Sequence, residues 1–341
     1  MSHNRTNTAT LILFLILDAA LAVASQISQH LLWAILLAIA LWLTLASLFQ
    51  IVKGILEKCR LKPLVIRLAI GLLGMIESIA LLFGVFYFAQ DAVLFHPGHD
   101  PKSLDYITAK SDFDAVEIIL GENTWNGILR NPASDDPSPL IIFFYGNAQN
   151  SAQTMRQMES FNIWPYFLDY QCLIMDYAGY GLNDGRSSLR NMCEEALAVF
   201  DYASSLPNVS HIIVGGYSIG TGPAIYLAAN READGLFLLA PYANTYDLYN
   251  NTLPIFYGPL RLFVKHKLAA DKYAKAVSVP ALVVSSRDDE IIPFDSSERL
   301  SECLGEECTF VAMSGIGHNS ILFNREVLSG VKSYLGKMNF K

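Results

Sequence analysis

Cysteine is scarce, with five in 341 residues, and the seven histidines are scattered. That is too few cysteines for a disulfide framework. No Cys or His cluster has metal-ligand spacing, so a metal centre is not expected. No cofactor is expected. No internal repeat is visible, which excludes solenoids and propellers. Charge is thin at 16%, and basic excess is missing where it would matter. Six of the 24 basic and three of the 32 acidic residues fall in the first 90, leaving 18 against 29 afterwards, a net charge of −11. A body of that charge is a poor partner for nucleic acid, which calls for a basic patch. Charge alone would not lay it flat on an anionic leaflet either.

What the chain has instead is apolar surface. Hydrophobic residues make up 52% of it, and mean hydropathy is +0.31. The excess lies in three runs near the N-terminus: 10–24, broken by Asp18; 31–52, free of charge; and 68–89, broken by Glu77. The second and third are long enough to span a bilayer. Between them stand Lys53, Lys58, Arg60, Lys62 and Arg67 against the single acid Glu57. A basic loop of this kind is retained in the cytoplasm. Residues 1–90 are therefore read as an anchor of about three helices, with everything after residue 91 on the non-cytoplasmic side, whether periplasmic, lumenal or extracellular. The first run has a rival reading. Arg5, the apolar stretch and Ala22-Val23-Ala24 resemble a cleavable signal peptide, against which Asp18 argues. Either way the rest of the chain ends on the same side. Asp18 and Glu77 are read as acids near helix ends or paired between helices rather than as a proton path.

Beyond a connector at 91–112, the chain begins with a hairpin, strands 114–120 and 124–130 about a Gly-Glu-Asn turn. Strand and helix patterns then alternate: strand 139–145, helix 150–161, strand 171–177, helix 188–205, strand 211–217, helix 219–230, strand 235–240. Strands at 280–285 and 308–313 follow. The alternation predicts an α/β fold, a mostly parallel sheet covered on both faces. The catalytic domain is expected over 113–341. Residues 241–278 interrupt the alternation and hold Tyr242, Tyr246, Tyr249, Phe256, Tyr257 and Phe263. They are read as a short lid whose aromatics either line an apolar acyl site or pack the lid onto the body. Cys303 and Cys308 flank a short connection, and either a local disulfide or two thiols fits them.

The most informative stretch is Gly216-Tyr217-Ser218-Ile219-Gly220, between a buried-strand pattern and a helix-like run. A serine with glycine two residues to either side, at a strand-to-helix turn, marks a nucleophile elbow. Its hydroxyl is a weak nucleophile without a base, and the base needs an acid to orient it. In this arrangement the partners follow in the order serine, acid, histidine. Strand 280–285 runs into Arg287-Asp288-Asp289-Glu290, and strand 308–313 runs into Ser314-Gly315-Ile316-Gly317-His318. Both sites fall at C-terminal strand ends, where open α/β sheets bind ligands. His318 is therefore the expected base. Asp289 is the expected acid, since it precedes Pro293 and the next helix by four residues, with Asp288 and Glu290 as solvated neighbours. Oxyanion donors are expected from the N–H of Ile219, just after the nucleophile, and of Asn147, after the strand at 139–145.

As an ordered set these motifs resemble a known group, the membrane-anchored α/β-hydrolase-domain proteins of the serine aminopeptidase-like, lipase and esterase branch. Tyr145-Gly146-Asn147-Ala148-Gln149-Asn150 is similar to the branch's His-Gly-Asn-Ala-Gly-Asn. Asp176-Tyr177-Ala178-Gly179-Tyr180-Gly181 is similar to Asp-Tyr-Arg-Gly-Tyr-Gly, and Leu94-Phe95-His96-Pro97 resembles the phrase after the anchor. The likeness covers about 90–338. Tyr145 stands where the branch has His, and Ala178 where it has Arg. The resemblance implies a Ser-His-Asp hydrolase of esters, thioesters or lipids. The expected function is a membrane-tethered serine hydrolase acting on carboxylic esters, with a small-molecule or lipid ester as partner. An aminopeptidase or amidase of the same fold, and a non-catalytic membrane scaffold, are the alternatives.

Overall fold

The computed structural model describes residues 31–58, 62–98, 100–120, 123–132 and 136–338. The expected first apolar helix, 10–24, lies outside them. The chain divides into two compact units. One holds the residues up to Leu94 together with Pro259–Lys265, and the other holds Phe95–Gly258 and His266–Lys341.

The first unit is built on helices α1 (Leu31–Lys58) and α2 (Pro63–Leu94). Both are long and apolar enough to cross a membrane, over Ala38–Lys58 and Pro63–Asp91. Their outer faces leave Trp42, Ile55, Leu68 and Leu82 more than half exposed, an arrangement suited to lipid rather than water. Hydroxyls in the apolar helices are satisfied internally, as where Thr44 donates to the Ala40 carbonyl and Ser78 to Gly74. The helices extend beyond the apolar runs and absorb most of the basic stretch expected as a loop. Backbone groups leaving a bilayer stay paired until water can replace the helical bonds. Pro63 opens α2 at a position where its missing N–H is not needed.

The second unit is an eight-stranded sheet, β1 (Phe113–Leu120), β2 (Asn123–Arg130), β3 (Ser138–Phe144), β4 (Gln171–Met175), β5 (Val209–Tyr217), β6 (Gly235–Leu239), β7 (Ala281–Ser286) and β8 (Cys308–Met313). Its order is β1-β2-β4-β3-β5-β6-β7-β8. β1 and β2 form the antiparallel hairpin, β2 runs antiparallel to β4, and every pairing from β4 through β3 to β8 is parallel. The interior strands β4, β6 and β7 are buried at every position. Their continuous apolar runs are what a sheet covered on both faces requires. The covering helices are α3 (Pro101–Thr108), α4 (Ser151–Ser160), α5 (Leu189–Ser204), α6 (Thr221–Ala228), α7 (Thr245–Thr252), α8 (Ala270–Ala274), α9 (Phe294–Leu304) and α10 (Arg325–Lys337).

Caps fix several helix starts, and so the loops before them. The side chains of Asn150, Ser188, Asn244 and Asn324 accept N–H bonds from the first turns of α4, α5, α7 and α10. The expected α/β architecture is the observed one. The stretch 241–278 differs in organisation from a single lid. It carries α7 and α8 in the second unit, but its middle, Pro259–Lys265, belongs to the first.

Candidate active site

β5 ends at Tyr217, and the chain turns at once through Ser218–Gly220 into α6. Ser218 has φ 54°, a left-handed conformation that side chains other than glycine seldom adopt. The two glycines are required by close approach. A Cβ on Gly216 would lie 2.8 Å from the Thr221 Cα, and one on Gly220 would lie 2.2 Å from the Phe144 carbonyl oxygen. The crowding lets α6 press onto β5 and β3 and presents the serine hydroxyl at the sheet's C-terminal edge.

His318 opens the short helical turn after β8. Its Nε2 lies 2.9 Å from Ser218 Oγ, and its Nδ1 lies 2.7 Å from Asp289 Oδ2. Three side chains separated by up to 100 residues thus form one hydrogen-bonded chain. The Asp289 side chain is fully buried and that of His318 nearly so. The other carboxylate oxygen, Asp289 Oδ1, accepts the N–H groups of Ile291 and Ile292 at 2.9 and 2.7 Å. Those two bonds aim the free oxygen at the imidazole. The Tyr217 ring stacks on His318 with centroids 5.3 Å apart, and its hydroxyl donates to the His318 carbonyl at 3.0 Å. Burial pushes the Tyr217 hydroxyl well above its ordinary pKa, so it stays a neutral donor.

Asp288 and Glu290 are exposed, as expected of solvated neighbours, but each also has a partner. Asp288 Oδ2 accepts the Gly315 N–H at 2.6 Å, and Glu290 Oε2 accepts the His318 N–H at 3.0 Å. All three consecutive carboxylates therefore bond to the histidine or its loop.

The loop after β3 brings Gly146 against the nucleophile, where an added Cβ would meet the Tyr217 ring at 2.9 Å and the Ser218 Cβ at 3.6 Å. Asn147 follows. Its side-chain oxygen accepts the His96 N–H at 3.0 Å, the Tyr180 hydroxyl at 2.8 Å and the Ala148 N–H at 2.9 Å, and its Nδ2 lies 3.1 Å from His96 Nδ1. Ala148 takes a left-handed conformation, φ 62°, to close this turn. Ile219 is buried directly after the nucleophile, and its carbonyl accepts the Tyr242 hydroxyl at 3.4 Å.

Tyr145, where the resembling branch has His, is wholly buried. Its hydroxyl donates to Asp176 Oδ1 at 3.3 Å and accepts the Tyr177 N–H at 3.3 Å, while the Tyr177 hydroxyl donates to the Tyr145 carbonyl at 2.8 Å. Asp176 Oδ1 also accepts the Ser151 N–H at 2.6 Å, which ties the start of α4 to the same post. Burial raises the Asp176 carboxyl above its ordinary range, and the Ser151 N–H opposes that. Ala178, where the branch has Arg, is buried, and its N–H donates to Glu195 Oε2 at 3.3 Å. The supporting roles of Tyr145, Tyr180, Asp288 and Glu290 were not assigned from sequence. The motifs around them were visible, but their partners lie far along the chain.

In the 241–278 stretch, Tyr242 and Phe256 are buried as packing residues and Tyr257 is exposed. Asn251, at the end of α7, donates to the Ile291 carbonyl at 3.1 Å, which ties that helix to the acid loop. Cys303 and Cys308 are free thiols. Among the described residues no three His, Cys, Asp or Glu side chains converge as a metal site.

No protein-family model matches the chain. It is 27% identical over 285 residues to an uncharacterised protein of Mycobacterium tuberculosis, an alignment covering 82% of this chain and 96% of that protein. It is 25% identical over 244 residues to human alpha/beta hydrolase domain-containing protein 17C, covering 70% and 71%. Rat lysophosphatidylserine lipase ABHD12 is 28% identical over 179 residues, covering 48% of this chain and 44% of the lipase. Among solved structures, an esterase of Pyrococcus furiosus superposes with a TM-score of 0.55 at 18% identity, covering 72% of this chain and 97% of the esterase. Est1E of Butyrivibrio proteoclasticus with ferulic acid bound gives 0.54 at 21%, covering 67% and 100%. The chain has the α/β-hydrolase fold, preceded by two apolar helices long enough to span a membrane.

Proposed function

We propose that this chain is a membrane-tethered serine hydrolase of carboxylic esters, with lipid-like or acylated substrates, including thioesters. The observation that carries the reading is the unbroken chain Ser218 Oγ, His318 Nε2, His318 Nδ1, Asp289 Oδ2, with links of 2.9 and 2.7 Å. Similarity to proteins named as α/β-hydrolase-domain proteins and as a lysophospholipid lipase supports a hydrolase and a lipid ester as substrate.

In the proposed cycle Ser218 Oγ attacks the ester carbonyl carbon while His318 Nε2 takes its proton. Asp289 holds the imidazole with its N–H on Nδ1, and so keeps Nε2 free as acceptor. The tetrahedral oxyanion is held by the N–H groups of Asn147 and Ile219. The intermediate collapses, the C–O bond to the alcohol breaks, and His318 protonates the departing oxygen. Water then attacks the acyl-serine with His318 again as base, releasing the acid and restoring the Ser218 hydroxyl. Anchoring at the N-terminus keeps the site beside bilayer-resident substrate. The basic residues where the two apolar helices meet support a catalytic unit on the non-cytoplasmic side.

An aminopeptidase of the same fold would need carboxylates set aside for a free amine. The two spare carboxylates of the acid loop are instead bonded to Gly315 and His318, so the ester reading is preferred. The test is covalent. A fluorophosphonate probe is expected to label the full-length protein in membranes, and Ser218→Ala to abolish labelling and p-nitrophenyl ester turnover together. Labelling that persists in the Ser218→Ala protein overturns the assignment.

A further inference from the structure

The seven residues Pro259–Lys265 leave the catalytic unit and join the anchor. Their attachment is built, not incidental. Gln90, 1% exposed near the end of α2, uses both ends of its amide. Its Nε2 donates to the Phe263 carbonyl at 2.7 Å, and its Oε1 accepts the Lys265 N–H at 2.7 Å. Asp91, 3% exposed, holds Lys265 Nζ at 2.8 Å. About two turns earlier, Phe83 stacks on Phe263 with centroids 4.3 Å apart. A buried carboxylate persists in such a place only when paired and hydrogen-bonded. The strap is thus clipped to α2 by two backbone bonds, an ion pair and a ring stack.

The clip has a defined depth. α2 has 32 residues, about 48 Å of helix at 1.5 Å per residue. A hydrocarbon core of ~30 Å takes about 20 of them. Counted from Arg67, the charge at the cytoplasmic end, that length reaches Tyr87, in the aromatic run Phe86-Tyr87-Phe88. Aromatic residues gather at the water boundary of a membrane. Phe83 then lies just inside the boundary and Gln90 and Asp91 just beyond it. The strap they hold keeps Leu262 74% exposed. The surrounding run from Leu253 to Phe263 carries one charged residue, Arg261.

We propose that Pro259–Lys265 is an interfacial membrane segment, with Leu262 dipping among the acyl chains of the leaflet at which α2 ends. Its partner is the lipid bilayer itself, continuous with the spanning face of α2.

The full-length protein, with Cys59, Cys303 and Cys308 replaced by serine, is reconstituted in phosphatidylcholine vesicles. It carries one fluorescent label through Leu262→Cys. Arg261→Cys provides a second label site on the strap, and Ile119→Cys, on the β1–β2 hairpin, is the control. The Leu262 label is expected to be quenched by nitroxide-bearing lipids and to resist aqueous iodide at least about fivefold better than the Ile119 label. In Asp91→Asn and Gln90→Ala backgrounds that protection is expected to fall. Iodide access at residue 262 equal to that at residue 119, with the Arg261 label agreeing, overturns the proposal. Protection unchanged by loss of the clip overturns the role given to Gln90 and Asp91. None of these readouts requires hydrolysis, so failure of the esterase reading would register separately, as loss of fluorophosphonate labelling at Ser218.

Discussion

Three adjacent carboxylates share the placement of one imidazole. Asp289 bonds to the ring, Glu290 to the histidine's own N–H, and Asp288 to the loop three residues before it. The Asp289 bond is buried and charge-assisted, whereas the Glu290 and Asp288 side chains face solvent. Exposed bonds contribute little to stability, because water replaces them. They contribute to position instead, and small displacements of a general base are costly in rate. Glu290→Ala is therefore expected to lower kcat by about tenfold while costing under ~1 kcal/mol of stability. Glu290→Gln, which keeps an acceptor oxygen, is expected to restore most of that rate. Ester turnover and thermal unfolding on the same preparations check both. A rate unchanged in Glu290→Ala would show that the loop holds His318 without it.

At the scale of elements, the sheet was largely legible and its cross-links were not. The strands β3 to β7 were readable because burial on both faces demands short unbroken apolar runs such as Ile212-Ile213-Val214 and Ala281-Leu282-Val283-Val284, and the less buried β8 by Phe310-Val311-Ala312-Met313. Ser218, Asp289 and His318 could be chosen because each sits at the end of such a run. The bonds from Glu290 to His318 and from Tyr145 to Asp176 span 28 and 31 residues. No local periodicity encodes partners so far apart. The clip on α2 was hidden for the same reason, since Gln90 and Lys265 are 175 residues apart.

Helix α5 carries a consequence of another such contact. Desolvation pushes the Glu195 carboxyl from 4.5 up to about 7, opposed by the Ala178 N–H. Its folded pKa is raised, so between pH 4.5 and 7 the unfolded chain releases this proton while the folded chain keeps it. The folded state binds more protons there, and stability falls as pH rises through that window. The full penalty, reached above pH 7, is at most about 3 kcal/mol. Glu195→Gln, which keeps an acceptor for Ala178, is expected to raise the unfolding temperature at pH 8. The gain should shrink toward zero near pH 4.5. A gain independent of pH would assign the effect to packing rather than to titration.

For the molecule as a whole, the side of the membrane follows from where positive charge is retained during insertion. Lys53, Lys58, Arg60, Lys62 and Arg67 run from the end of α1 into the start of α2 against Glu57, while everything beyond residue 91 carries an acidic excess. Positive residues resist translocation and acids scarcely influence it, so in the proposed topology the short basic connection stays in the cytoplasm and the acidic unit crosses. The chain carries its own reporters for this. Cys59 lies in the basic connection, Cys172 and Cys193 are buried, and Cys303 and Cys308 are partly exposed on the catalytic unit. After mild reduction of intact cells or sealed vesicles of native orientation, a membrane-impermeant maleimide is expected to label the Cys59→Ser protein from outside. The Cys303→Ser/Cys308→Ser protein should react only once the membrane is permeabilised. Both buried thiols stay silent in each case, so the two proteins report opposite faces of one bilayer. The reverse pattern would place the catalytic unit in the cytoplasm and show that the basic connection does not set the orientation. Its substrates would then have to come from the inner leaflet.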